Sequence, residues 1–293
     1  MQSVVAKDGN FDIIKHDNIG GIGNGMSKIR ISKTWVWLFY GVGALGMILF
    51  AFWDLRISMT LCNQENLFGK FIEVLGDYPM YLSLGLGSVY LFCEELKKEK
   101  KHPGWLVFWG LGSLAGAVLS SLLPIYRMTR ISRWQLILIP IFLLLFYLIV
   151  QKMPENKGKA LHQLAKFAVI YFIAAQVIAY GIKVPWGRLR FRHMSEPLSQ
   201  FIPWYLPQGL TGNHSFPSGH TFNSCSILLL LYLPGIRKEN AQPDLRLWLF
   251  VCTWIFMVAI GRIIAGAHFA SDVTMGAMLG IGTFLFMNYR LEG

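Results

Sequence analysis

An all-α bundle that crosses a membrane about eight times is the fold class predicted by this 293-residue sequence. Three observations predict it. Apolar residues make up 54% of the chain and aromatics 14%, with only 15% charged, a balance foreign to ordinary soluble domains. The apolar residues fall in runs near the roughly 20 residues that a helix needs to cross a bilayer. Those runs are continuous instead of alternating, which favours helices over barrel strands, the other way to satisfy a backbone in lipid.

In chain order the predicted spans are 34–53, 76–93, 105–125, 134–150, 165–182, 218–234, 246–263 and 272–289, and 34–293 reads as one integral-membrane domain. The polar segment 1–33 lacks the short basic region and apolar core of a cleavable signal, so the first span is expected to be retained. Gly20 to Gly25 read as a flexible lead-in. Gly41, Gly43 and Gly46 imitate a dinucleotide-binding pattern, which has meaning only between a strand and a helix. The second span is short and opens on Asp77 and Pro79, a proline suited to a first helical turn. In the third and eighth spans, Gly112 with Gly116 and Gly276 with Gly280 stand four apart and read as close helix contacts.

A net charge of +11 can signal nucleic acid, but most of these cations flank apolar spans, where they set orientation, so no nucleic-acid partner is expected. The run Lys97 to Lys101 is such an anchor. Counting Lys and Arg puts both termini in the cytoplasm, with Arg127, Arg130 and Arg133 as an outer cluster that opposes this topology. Cys62, Cys93, Cys225 and Cys252 form neither a disulfide framework nor a zinc spacing. His16, His102 and His162 have no chemical neighbours and receive no role.

Three strings carry the chemistry. Lys183 to Arg190 follows the fifth span and pairs a Lys point charge with an Arg fork, able to hold different oxygens of one phosphate. Pro217-Ser218-Gly219-His220 opens the sixth span, where Gly219 permits close approach of an anion to backbone N–H groups and His220 titrates near neutrality. The bland reading is a turn and helix start. Arg262 through His268 to Asp272 joins the last two spans, and the four-residue spacing lets Asp272 face His268 over one helical turn and fix its tautomer. The bland reading there is a helix cap. All three strings fall on one membrane side, so they can converge around an oxyanion.

With these strings the sequence resembles the type 2 phosphatidic acid phosphatase superfamily over residues 183–272. Two positions depart from the family pattern: Phe191 replaces a proline after Arg190, and Gly261 replaces a serine before Arg262. The resemblance implies a six-helix core extended by two spans and a membrane-integral phosphatase acting on a lipid phosphate or diphosphate, such as isoprenoid diphosphate, phosphatidate or phosphatidylglycerol phosphate. It implies that His268 attacks phosphorus to form a phosphohistidine, that Asp272 orients it, and that His220 serves as acid and then base. Lys183, Arg190, Ser218, Gly219 and Arg262 then stabilise charge on the phosphate oxygens. No cofactor or metal is expected, because fixed cations take magnesium's part and no carboxylate cluster is evident. The expected partners are the lipid substrate and membrane lipids, with no obligate protein partner, and the expected location is a bacterial plasma membrane with the site facing outside. Transfer of the phosphoryl group to a lipid or sugar hydroxyl is an alternative that uses the same residues. A non-catalytic anion or lipid transporter is disfavoured by the two histidines and Asp272, and a haloperoxidase by the many spans.

Overall fold

A computed structural model describes residues 25–292; His16 and most of the Gly-rich lead-in lie outside the described residues. The described chain is helical: α1 (Lys33–Leu61), α2 (Leu67–Leu75), α3 (Tyr78–Lys97), α4 (Pro103–Ser121), α5 (Leu123–Met128), α6 (Leu138–Gln151), α7 (Gly158–Trp186), α8 (Pro197–Gln200), α9 (Gly219–Ser224), α10 (Leu233–Arg237), α11 (Leu245–Ile264) and α12 (Ala270–Tyr289). No strand occurs among the described residues.

Six stretches are long and apolar enough to cross a membrane: Lys33–Leu61, Pro103–Met128, Arg133–Gln151, Glu155–Trp186, Leu245–Ile264 and Ala270–Tyr289. The expected eight is not reached by length and apolarity, and the two remaining segments differ for physical reasons. Helix α3 packs against α4, α6 and α7, so much of its surface meets protein instead of lipid. The segment expected at 218–234 is not one helix: α9, a 3-10 stretch over Cys225–Tyr232 and α10 follow one another, and all of 221–229 is buried. A segment walled in by neighbouring helices can use tighter turns, since it need not present an apolar cylinder to lipid.

Glycines set the close contacts that the sequence predicted. A Cβ on Gly116 would lie 2.3 Å from the Gly85 Cα, which lets α3 and α4 touch backbone to backbone. One on Gly276 would lie 2.5 Å from the Ser218 carbonyl, and one on Gly280 2.8 Å from Cys225 Sγ, so α12 lies flush against the start of α9.

The two ends of the bundle are tied differently. At one end the segment before α1 is held by side-chain amides: Asn288 accepts from Ile29 N–H (3.0 Å) and donates to its carbonyl (2.9 Å), and Gln242 accepts from Arg30 N–H (2.8 Å). The other end gathers the α2 region and the turns after α4, α7 and α11. Asn63 N–H donates to the Ile264 carbonyl (2.8 Å), and Arg127 forks onto Asp77 (2.7 and 2.9 Å). Arg127 is therefore a partner of a buried carboxylate.

Candidate functional site

The three strings meet at this second end. Lys183 stands in the last turn of α7, which Gly187 ends in the left-handed region (φ 58°). The chain then runs back over the bundle, and Arg192 N–H bonds the Gly266 carbonyl (2.9 Å), fastening the first string to the third. After α11, Gly266 (φ 62°) reverses the chain, so that His268 N–H returns to the Arg262 carbonyl (3.3 Å). The first and second strings meet as Lys183 Nζ donates to the His214 carbonyl (3.1 Å), and a Cβ on Gly219 would lie 3.4 Å from Lys183 Cε. The second and third meet as Ser218 N–H donates to the Asp272 carbonyl (2.8 Å).

His268 is 1% exposed, and its Nδ1 lies 2.8 Å from the Ser215 carbonyl. A carbonyl can only accept, so Nδ1 carries the proton and Nε2 the lone pair. The expected one-turn contact with Asp272 takes another form. His268 precedes α12, and Asp272 Oδ2 approaches its Nδ1 at 3.6 Å while accepting from Phe269 N–H (2.9 Å) and Ser215 Oγ (2.5 Å). Asp272 thus caps the helix and faces the histidine at once. Burial first, then Lys183 and Arg262, push the His268 pKa down to about 3 against the opposing pull of Asp272.

Arg262 is 2% exposed, and its buried Nε and Nη1 have no hydrogen-bond partner. Buried guanidinium donors left unmet are costly. His220 and His268 both lie within electrostatic reach of Arg262 and of each other. Arg190 lies near Glu73 and Asp272, its pKa lowered by burial and then by Arg192. Ser218 Oγ, expected on the phosphate, is fully buried and caps α9, accepting from Thr221 N–H (3.4 Å) and Thr221 Oγ1 (3.0 Å).

Several residues of this end escaped the sequence reading. Arg188, 1% exposed, donates to Asp272 Oδ1 (2.6 Å), Ser271 Oγ (2.8 Å), Asp54 Oδ2 (3.0 Å) and the Ile202 carbonyl (3.1 Å), with the Phe269 ring 4.1 Å from its guanidinium carbon. Asp54, on α1, also accepts from Ser271 N–H (2.9 Å) and from Ser271 Oγ. His220 Nε2 meets the Glu73 carbonyl at 3.2 Å and Asp77 Oδ2 at 3.7 Å. Helix α2 rests on α11 through Ile72, whose side chain would lie 2.6 Å from a Cβ on Gly261; a serine there would collide with it. Phe191, the other departure, packs edge-on against Phe269 at 6.2 Å. Trp186 and Trp204 stack on Phe216 at 4.8 and 6.0 Å and so brace the second string, while Tyr205 stands half exposed.

Fold and site together define an integral-membrane helical protein in which buried His268 and part-buried His220 stand near the buried guanidinium of Arg262. Residues 163–292 match the family model described as the PAP2 superfamily. The chain is also similar to the bacitracin transport permease protein BcrC of Bacillus licheniformis, 39% identical over 122 residues, or 42% of this chain and 55% of that one. It is similar to phosphatidylglycerophosphatase B of Bacillus subtilis (strain 168), 26% identical over 106 residues, or 34% of this chain and 50% of that one. The chain spans about half the length of the curated relatives it matches. No solved structure matches.

Proposed function

We infer that this protein is a membrane lipid phosphatase working through a phosphohistidine. One observation carries the reading: the unmet Nε and Nη1 donors of buried Arg262, beside two histidines. His268 Nε2 attacks phosphorus while its Nδ1 keeps its proton, donated to the Ser215 carbonyl; His220, neutral before substrate arrives because burial and Arg262 lower its pKa, takes up a proton with the phosphate ester and passes it to the departing lipid oxygen. His220, now neutral, takes a proton from water, whose oxygen attacks the phosphohistidine and frees phosphate and His268. Arg262, Lys183 and Arg190 neutralise the phosphate oxygens. Asp272 offsets the positive charge on the substituted imidazole. Ser218 acts by holding the second string and Gly219 by leaving room for the Lys183 stem.

The substrate is a lipid monophosphate or diphosphate, reached from the outer leaflet of a bacterial plasma membrane with both termini inside. The name of the phosphatidylglycerophosphatase relative supports the chemistry. The name of the permease relative favours a second reading, transport of an anion through the same cations. Phosphate release by purified protein in detergent, where no gradient exists, separates the two. His268→Ala should lower that release by on the order of a thousandfold or more. Near-normal release by this variant rules out the covalent route.

A further inference from the structure

The arginines gathered at the proposed phosphate site are already approached by a carboxylate from outside the matched region. Glu73, near the end of α2, receives Arg192 Nη1 at 2.9 Å on Oε1 and 3.3 Å on Oε2, and its Oε1 stands 3.7 Å from Arg262 Nη1. Its backbone carbonyl meets His220 Nε2 at 3.2 Å. One residue therefore sets an anion against the arginines and an oxygen against the histidine proposed as acid, the two groups that a phosphate ester would present. The contact is imperfect, since 3.7 Å is too long for a hydrogen bond and Arg262 keeps its unmet donors. Burial acts to raise the Glu73 pKa, but Arg262 and Arg192 outweigh it and hold the carboxyl ionised below its ordinary range.

Charge decides what can take its place. A terminal phosphate carries about −1.5 to −2 at neutral pH, whereas the phosphodiester of an ordinary phospholipid carries one charge. Exchanging Glu73 for a phosphodiester leaves the balance around Arg262 and Arg192 unchanged and forfeits the seated helix. Exchanging it for a terminal phosphate adds attraction and supplies oxygens for the unmet Arg262 donors.

The geometry points to Glu73 as the specificity-determining residue of the pocket: its single charge is displaced by a terminal phosphate but not by the phosphodiester headgroups that surround the protein in the membrane. This rests on the pocket being a phosphate site. The test uses the full chain in neutral detergent micelles at pH 8, with inorganic phosphate and dimethyl phosphate as probes and binding read from thermal shifts and calorimetry. The wild type should bind phosphate and not dimethyl phosphate. Glu73→Gln, nearly isosteric, should bind phosphate about tenfold tighter, as expected when an internal competitor holds the open pocket to about a tenth of the population. It should also acquire measurable affinity for dimethyl phosphate, and Glu73→Ala should behave likewise. If folded Glu73→Gln and Glu73→Ala keep the wild-type phosphate affinity and still refuse dimethyl phosphate, the role of Glu73 is overturned and the phosphate pocket stands. If neither the wild type nor the variants bind phosphate, the pocket reading falls and takes this inference with it.

Discussion

Replacing Arg188 by methionine strands two buried carboxylates at once. Asp54 and Asp272 are each fully buried, and Arg188 is the cation that bonds both. After the substitution Asp54 keeps the two donors of Ser271, and Asp272 keeps Ser215 Oγ and Phe269 N–H, so neither oxygen pair is bare. The charge is what goes unanswered. Breaking a buried ion pair from one side costs about 3–5 kcal/mol, and losing the donor to the Ile202 carbonyl adds about 1 kcal/mol. With the surviving donors offsetting part of this, about 4 kcal/mol is expected, near a thousandfold in the folded-to-unfolded ratio. Denaturant titration of the detergent-solubilised protein, followed by tryptophan fluorescence, reads it directly. Arg188→Lys should retain part of the stability, because the charge remains while the fork that reaches both carboxylates does not. Adding Asp54→Asn to Arg188→Met should recover about 2 kcal/mol by removing one stranded charge. A methionine variant within 1 kcal/mol of wild type, or an Asp54→Asn change that deepens the loss, refutes the reasoning.

Three further outcomes follow from the same geometry. An unfolded histidine binds its proton near pH 6.5 and His268 near 3, so the unfolded chain holds more protons in that window. His268 therefore contributes stability that is complete above about 6.5 and lost toward pH 3, with a slope of about 1.4 kcal/mol per unit; a His268→Gln protein with an unchanged acid-side slope contradicts this. Gly276→Ala places a methyl 2.5 Å from the Ser218 carbonyl, and should cost about 1–3 kcal/mol and lower phosphate release by spreading α12 from the second string. Unchanged activity and stability together refute that contact. Asn288→Leu removes both backbone partners of Ile29, so trypsin should cut at Lys28 or Arg30 several-fold faster than in wild type, whereas equal cleavage rates mean the amides do not hold the strap.

The three strings were legible because each joins an unusual residue set to the end of an apolar run, and such ends must lie at a membrane face. Asp54 was missed by a single position. The predicted first span stops at 53 because a carboxylate closes the apolar run, yet α1 continues to Leu61 with Asp54 buried against Arg188. An ionisable group inside a span is a signal that names its own importance, though not its partner. Glu73 gave less warning. It stands on a nine-residue helix between spans, where acidic residues are commonplace, and only the seating of Ile72 over Gly261 brings it to Arg262. Arg188 lay within the first string, but spacing cannot tell which of several cations turns outward to a ligand and which turns inward to a carboxylate. The 3-10 stretch over Cys225–Tyr232 was illegible for another reason: its composition is that of a span, and what shortens its turns is contact with its neighbours.

Helix α1, at 29 residues, is about 44 Å long, well beyond the roughly 30 Å of hydrocarbon it crosses. It is pinned at both ends, by the amides that grip Ile29 just before it and by Asp54 among Arg188 and Ser271 near its far end. A helix tethered in this way cannot slide along its axis to match a thinner or thicker bilayer. Mismatch must instead be absorbed by lipid, stretching or compressing around the end of the bundle where Asp54 is held, so membrane thickness becomes a variable to which the proposed turnover is expected to respond.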